Sequence, residues 1–169
     1  MQPRPSQDGT ASEPHGPPPV ALPPPEGTVV IAVGDQLLAG EAETFVENAF
    51  SRAGIPLVDE GSIPGISGLI GSGEVPRPGE FHDMLKPYVR NLVMVRIEYL
   101  GERPLVYMGQ RDVAFQARVT MVAIDVQTGN VIDQPTRFRV EYTHLNAERV
   151  VEKEFRRPTF DIVDRLKQQ

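Results

Sequence analysis

Proline is concentrated at the start of this chain, where it limits what can fold. Nine of the 17 prolines lie within residues 1–26, and few side chains in that segment are apolar. Such a composition favours extended, polyproline-like conformations and cannot bury a core. We therefore expect residues 1–26 to form a disordered linker. Residues 27–169 are enough for a single folded domain.

Composition and charge exclude several classes of protein. The formal net charge is -6 at pH 7, and the sequence has no basic cluster typical of a nucleic-acid-binding protein. Cysteine is absent, so disulfides and thiolate metal sites are excluded. No apolar run is long enough to span a membrane, so we expect membrane attachment only through an anchor upstream of Met1.

The first half of the domain predicts a strand, a helix and a second strand. Residues 28–33 form a continuous β-branched run, which is typical of a strand buried on both faces. Residues 39–53 carry apolar side chains at helical spacing, and Gly54 follows them as a helix-ending residue. Residues 55–59 then predict a second strand, which would complete a βαβ-like unit.

The second half predicts a meander and a closing helix. Residues 91–100 alternate like a strand, and residues 113–126 and 130–143 predict a long hairpin around a glycine-containing turn. Residues 145–169 are helical in composition, but Pro158 should interrupt the helix. Together the elements predict an α/β (or α+β) fold with a mixed sheet of about five strands, a long C-terminal β-hairpin and flanking helices mainly on one face.

A long glycine-rich loop is the first candidate for partner contact. Residues 61–79 contain six glycines and three prolines, so we expect a loop with at most one helical turn near residues 66–70. Loops on a rigid scaffold often carry binding residues. We expect this loop to expose Ile66, Leu69 and Ile70, and the candidate partner-binding residues are Ile66, Leu69, Ile70 and Arg77. The alternative is that the loop collapses onto the core of its own domain.

Motifs for chemistry are weak throughout the chain. The glycine-rich stretch lacks the lysine of a phosphate-binding loop, and the domain histidines are too far apart to predict a metal site. We therefore predict no catalytic, cofactor-binding or metal-binding residue, and no enzyme activity. A small hydrolase is the second hypothesis, and it would need four side chains to converge in one pocket: Asp35, Asp59, Glu60 and His82.

Arginines are scattered through the C-terminal half among acidic neighbours. This mixture predicts a solvated surface of both signs. Only the adjacent pair Arg156 and Arg157 is a candidate for a weak anion-binding or acidic-partner patch.

The order of elements resembles that of a group of bacterial envelope proteins. Residues 28–35, 42–59 and 119–132 carry the resemblance, and the last segment contains the hairpin pattern D-x-x-T-G-x-V. The group includes the N-terminal domain of TolB, the lipoprotein activators of penicillin-binding proteins and the curli secretion lipoproteins. The resemblance implies a non-catalytic α/β domain that binds another protein or helps to assemble a complex, without a cofactor.

The proline-rich segment before such a domain also resembles membrane-anchored bacterial signalling proteins, including some Ser/Thr kinases with an extracytoplasmic sensor domain. We therefore expect a recognition or sensory domain, periplasmic or otherwise extracytoplasmic, that binds a protein partner or an envelope ligand. An envelope assembly or activator subunit is the alternative. Such a subunit could use the edge of the long hairpin for strand addition.

Overall fold

Four strands form one mixed sheet in the order β1-β2-β3-β4. The computed structural model describes residue 23, residues 25–72, residue 74 and residues 76–169, so most of the predicted linker lies outside the described residues. The strands are Thr28–Gly34 (β1), Asn91–Tyr107 (β2), Gln110–Asp125 (β3) and Val131–Tyr142 (β4). β1 and β2 are parallel, whereas β2, β3 and β4 form an antiparallel meander. The predicted fold class is confirmed, with four strands in this sheet.

Helices pack on both faces of the sheet. They are Gln36–Arg52 (α1), Ile66–Ile70 (α2), Pro78–Leu85 (α3), Ala147–Glu154 (α4) and Arg156–Lys167 (α5). α1, α4 and α5 enclose the larger core on one face, and α2 and α3 enclose a smaller core on the other. We expected helices mainly on one face, where α1, α4 and α5 do lie, without the second layer that α2 and α3 form. The second layer exists because β1 has no polar side: its strand residues before Gly34 are all buried.

The strand predicted at residues 55–59 is reduced to a single parallel bridge between Thr28 and Leu57. The bridge is held by hydrogen bonds from the Thr28 N–H to the Pro56 carbonyl and from the Val58 N–H to the Thr28 carbonyl. Pro56 has no N–H with which to extend the ladder. The chain then turns at Asp59, whose carboxylate accepts a hydrogen bond from the Gly61 N–H at 2.8 Å. The parallel neighbour that pairs along the whole of β1 is β2, not residues 55–59.

The break predicted in the C-terminal helix is confirmed. α4 ends at Glu154 and α5 begins at Arg156, with Phe155 between them. Pro158 lies in the first turn of α5, where a missing N–H does not interrupt the helical hydrogen bonds. The bend turns Phe155 into the larger core, where its ring meets that of Phe138 edge to face at 5.1 Å between centroids.

The β2–β3 hairpin projects beyond the rest of the sheet. β4 stops pairing with β3 at Phe115, so the pairs from Arg103 to Tyr107 belong to a two-stranded ribbon. At its tip Val106, Tyr107 and Met108 are 74%, 75% and 88% exposed. The ribbon thus presents three apolar side chains to solvent.

Gly34 allows β1 and β2 to pair closely. Its φ is +116°, and a Cβ atom there would lie 1.8 Å from the carbonyl oxygen of Ile97. We expect Gly34→Ala to lower the free energy of unfolding by more than about 2 kcal/mol, measured by urea denaturation. Gly40 in α1 is the control, because its added Cβ meets nothing and Gly40→Ala should raise stability by about 0.5–1 kcal/mol. Equal stability of Gly34→Ala and wild type would contradict this strand contact.

Met108 occupies a turn position that favours asparagine. Its φ is 50° and that of Gly109 is 79°, as in the two-residue turns that prefer Asn-Gly. Because Met108 is exposed, its replacement loses no core contact. We expect Met108→Asn to raise the free energy of unfolding by roughly 0.5–1 kcal/mol, measured by thermal and urea unfolding. A destabilised Met108→Asn variant would show that the methionine side chain packs on the ribbon.

Candidate binding surface on the open face of the sheet

Three neighbouring strands place arginines on the same face of the sheet. This is the face on which α2 and α3 cover Met94 and Val122, and beyond that cover the described residues leave it open as a concavity lined by strand residues. Alternate residues of a strand share a face, so the next positions on β2, β3 and β4 line one shallow concavity. It measures about 430 Å³ and is lined by Arg96, Glu98, Arg118, Thr120, Arg137, Phe138 and Arg139. We call its four arginines the arginine face.

The strand register arranges these side chains in two rows. In the first row Thr120 of β3 lies between Arg96 of β2 and Arg137 of β4. In the second row Arg118 lies between Glu98 and Arg139. The positive charge is therefore spread over three strands.

Acidic side chains balance only part of the charge on the arginine face. Glu98 is the carboxylate among the lining residues, and its two oxygens lie 3.5 Å from Arg96 and 3.4 Å from Arg118. Within the described part of the chain, Arg137 and Arg139 form no ion pair. Arg118 and Arg139 are direct cross-strand neighbours, an arrangement that destabilises a sheet when the charges are alike. This surface is not optimised for stability alone.

A carboxylate at the border of the arginine face is strongly bound by its neighbours. Both oxygens of Glu141 accept hydrogen bonds from the Arg103 guanidinium, and Gln116 donates another at 3.2 Å. The Arg103 hydrogen bonds, followed by that from Gln116, lower the pKa of Glu141 to about 2. Glu141 therefore stays ionised and joins the base of the ribbon to β4.

The structure separates the loop residues that we predicted to bind a partner. Ile66 is 1% exposed and belongs to the smaller core, so the expectation that it is exposed is wrong and the alternative of collapse describes it. Leu69 and Ile70 are half-buried against the same core, whereas Arg77 is exposed. The helical turn predicted within the loop is confirmed as α2. Partner binding by Leu69, Ile70 and Arg77 stays a prediction.

The structure does not bring all the side chains of the hydrolase hypothesis together, because Glu60 and His82 line different concavities. Asp35 caps α1 by accepting a hydrogen bond from the Leu38 N–H at 3.0 Å. Asp59 stabilises a turn, and Glu60 lines a concavity at the end of β1. His82 lines a separate concavity beside Gly129. Among the described residues, no group of histidine and carboxylate side chains is arranged to hold a metal ion.

The concavity at the end of β1 is acidic. Glu43 accepts a hydrogen bond from the Ala32 N–H at 3.1 Å and shares this concavity with Glu60 and Ile70. Burial, followed by repulsion from Glu60 and other nearby carboxylates, raises the pKa of Glu43. This surface and the arginine face give the domain two regions of opposite charge.

Sequence reasoning missed the arginine face. It favoured Arg156 and Arg157, which are exposed at the start of α5 and do not line the concavity. The available signal was the spacing of two between Arg96 and Glu98, between Arg118 and Thr120, and between Arg137 and Arg139. Only the strand register shows that the three pairs are neighbours.

Comparisons with known proteins give a partial likeness in structure. No protein-family model matches the chain, and a search of curated proteins gives no match. A lipoprotein from Neisseria meningitidis is similar with a TM-score of 0.45 and 11% identity, over 83% of this chain and 99% of that chain. A minor lipoprotein from Acinetobacter baumannii has a TM-score of 0.41 and 11% identity, over 79% and 93% respectively.

A hypothetical protein from Chlamydia trachomatis is similar at the same level. Its TM-score is 0.41 and its identity 12%, over 79% of this chain and 96% of that chain. Likeness at these values transfers no activity and no site residue. In the described residues, no helix combines the length and apolar character needed to cross a membrane.

The Glu141 pair makes stability depend on pH. Because the pKa of Glu141 is about 2 in the folded protein and 4.5 ordinarily, its contribution is present above about pH 4.5 and is lost as the pH falls through 2. We expect Glu141→Gln to lower the melting temperature at pH 7 in low salt. The difference from wild type should shrink between pH 5 and pH 2 (about the interval between the two pKa values).

Glu152 provides the control for this measurement, because it is an exposed carboxylate of α4 outside the ion pairs found in the described residues. Glu152→Gln should change the melting temperature little at any pH in the series. A constant difference between Glu141→Gln and wild type from pH 7 to pH 2 would contradict the Arg103–Glu141 interaction.

Proposed function

We propose that this domain is a non-catalytic recognition module of the bacterial cell envelope, and that the arginine face binds an acidic segment of a partner protein. The observation that carries the proposal is the cluster of four arginines with one carboxylate on an open sheet face. The chain as a whole has a net charge of -6, so this cluster is a local reversal of sign. Local positive potential attracts and orients an acidic partner.

The spacing of the arginines favours an extended acidic segment over a single small anion. Arg137 and Arg139 are two residues apart on one strand, which separates them by about 6.8 Å along the chain direction. Carboxylates two residues apart on an extended peptide have the same separation. A single phosphate instead requires donors that converge on one point, whereas these arginines are distributed over three strands.

The location and the lack of catalysis are part of the same proposal. The envelope location rests on the resemblance of residues 28–35, 42–59 and 119–132 to envelope domains. The non-catalytic role is supported by the separation of Glu60 from His82, a carboxylate and an imidazole that the hydrolase hypothesis needs in one pocket but that line different concavities. The arginine face would serve equally in a membrane-anchored sensor or in an assembly subunit. Fractionation of cells that produce the native protein tests the envelope location.

Removing arginines should weaken binding of an acidic probe. A fluorescent peptide of alternating glutamate and threonine is titrated with the domain in low salt, and binding is measured by fluorescence anisotropy. Arg118→Gln with Arg139→Gln should reduce affinity about five- to thirty-fold, since each exposed charge pair contributes roughly 0.5–1 kcal/mol. Arg139→Gln alone should not reduce the free energy of unfolding, because it removes a repulsion of roughly 0.2–1 kcal/mol.

The matched control removes two exposed arginines from other surfaces, Arg52 on α1 and Arg157 on α5. Arg52→Gln with Arg157→Gln changes the net charge equally and should leave affinity near that of wild type. Equal loss in both double variants would assign binding to net charge and reject the arginine face. Full competition by dilute inorganic phosphate would reassign the face to a small phosphate ligand.

A further inference from the structure

In the part of the chain that the structure describes, β4 is the last strand of the sheet, and its outer edge lies beside the arginine face. We propose that the acidic partner segment binds as an additional antiparallel strand on this edge, with alternate carboxylates opposite Arg137 and Arg139. The inference rests on the proposed function and specifies how the same surface recognises its partner. Strand addition supplies main-chain hydrogen bonds, and the side chains on one face supply selectivity.

The strand register shows which backbone groups of β4 face outward. The Asp125 N–H donates to the Asn130 carbonyl, so Asp125 points toward β4. The register shifts between Met121 and Ile124 place their extra residues on β4, and β3 pairs with β2 without a shift from Ala117 to Asp125. Counting back along β3 in steps of two, Val119 and Ala117 therefore also point toward β4, where their partners are Phe138 and Val140. The intervening residues of β4 therefore direct their N–H and C=O groups to the free edge. These residues are Arg137, Arg139 and Glu141.

The outward groups are accessible along a usable length of edge. Arg137, Arg139 and Glu141 are exposed, and their backbone groups make no turn, loop or cap hydrogen bond within the described part of the chain. Pro135 limits the edge at one end, since it has no N–H. At the other end Thr143 donates its N–H to the Asn146 side chain at 2.7 Å. Residues 136–142 thus form a short edge with defined ends.

A second concavity lies on the opposite side of this edge. It measures about 480 Å³ and lies between β4 and α4, with Arg149, Val150 and Lys153 among its lining residues. Arg139 lines both this concavity and the arginine face. An added strand would therefore place alternate side chains over the arginine face and the intervening ones against α4. Both sides of the edge have space for a strand. Glu141 and Glu154 also line the second concavity, and Glu154 pairs with Lys153 at 3.2 Å, so the selectivity for carboxylates is assigned to the arginine face.

Charged residues and proline also protect sheet edges from aggregation, and this explains part of the composition of β4. Protection does not require charge on the strand behind the edge. Arg118 of β3 and Arg96 of β2 continue the positive charge inward, and Arg118 directly faces the like charge of Arg139. A surface that attracts carboxylates explains this inward extension, whereas edge protection does not.

The geometry determines the sequence pattern of the occupant. In antiparallel pairing, residues directly opposite each other have side chains on the same face. Residues opposite Arg137 and Arg139 therefore carry carboxylates, giving an acidic-x-acidic pattern in an extended segment. Their own N–H groups face β4 and donate to its outward carbonyls. The N–H groups of the intervening residues face solvent.

Two matched peptides test this arrangement on the intact chain. One is the alternating glutamate–threonine peptide with N-methyl groups on its glutamates, and the other carries the same number of N-methyl groups on its threonines. We expect methylation of the glutamates to reduce affinity at least about tenfold, because it removes the N–H groups that donate to β4. Methylation of the threonines should leave most of the affinity, because those groups face solvent.

Amide hydrogen exchange measured by NMR gives an independent readout. The unmethylated peptide should slow exchange at the N–H groups of Arg137, Arg139 and Glu141. The N–H groups of Phe138 and Val140 already donate to β3 and provide the internal control, so the peptide should change their exchange less. Both results together support strand addition.

The outcomes separate this inference from the proposed function. Binding that depends on Arg118 and Arg139, with equal affinity of the two methylated peptides and no slowing at the three outward amides, would overturn strand addition and retain the arginine face. Absence of peptide binding to the wild-type chain in low salt would overturn both. Slowing of exchange uniformly over β3 and β4 would indicate general stabilisation of the sheet and would also overturn pairing at this edge.

Discussion

The rest of the structure depends on β2 lying between a parallel and an antiparallel neighbour. Residues 91–97 pair with β1 on one side and β3 on the other, so the side chains of this segment need cover on both faces of the sheet. α1, α4 and α5 cover one face, but α2 and α3 cover the other only to the row of Met94 and Val122. The open surface begins one row later, and there the strands change from apolar to charged residues. The end of the second helical layer thus determines where the arginine face begins.

Local sequence signals were sufficient where structure is decided within a few residues. The turn at residues 125–130 forms because the Asp125 carboxylate accepts hydrogen bonds from the N–H groups of Gln127 and Thr128, as expected of aspartate in a turn. Pro158 likewise predicted the break in the C-terminal helix correctly, because its effect on the helix is local. The segment at residues 55–59 has the composition of a strand. Whether it pairs along β1 depends on residues far away in the sequence, because β2 forms the ladder with β1. The sequence left exposure and burial of Ile66 as alternatives for the same reason, since its burial depends on α3 and β2.

The arginine face could not be predicted from the sequence, because its residues become neighbours only through the pairing of three strands. Arg139 stands two residues from Glu141 along the chain, and acidic residues are scattered through the C-terminal half, which suggested a mixed surface. In the fold, Glu141 is held by Arg103 and Glu98 interacts with both Arg96 and Arg118. Positive charge remains over β3 and β4, while carboxylates gather at the far edge of β1 around Glu43. The resulting charge asymmetry gives a molecule with net charge -6 a preferred side for approach by an acidic partner.

The ribbon at the end of the β2–β3 hairpin lies outside both cores. Beyond Phe115 no third strand from residues 25–72 or 76–169 pairs with it, and the contact between Arg103 and Glu141 joins its base to β4. Such peripheral two-stranded segments open at little cost to the remainder of a domain. Loss or gain of matched residue pairs would change the reach of the ribbon and preserve the alternation of faces in the body of the sheet. A change of length at the tip that carries Val106, Tyr107 and Met108 would therefore leave the pairing of the remaining sheet in place.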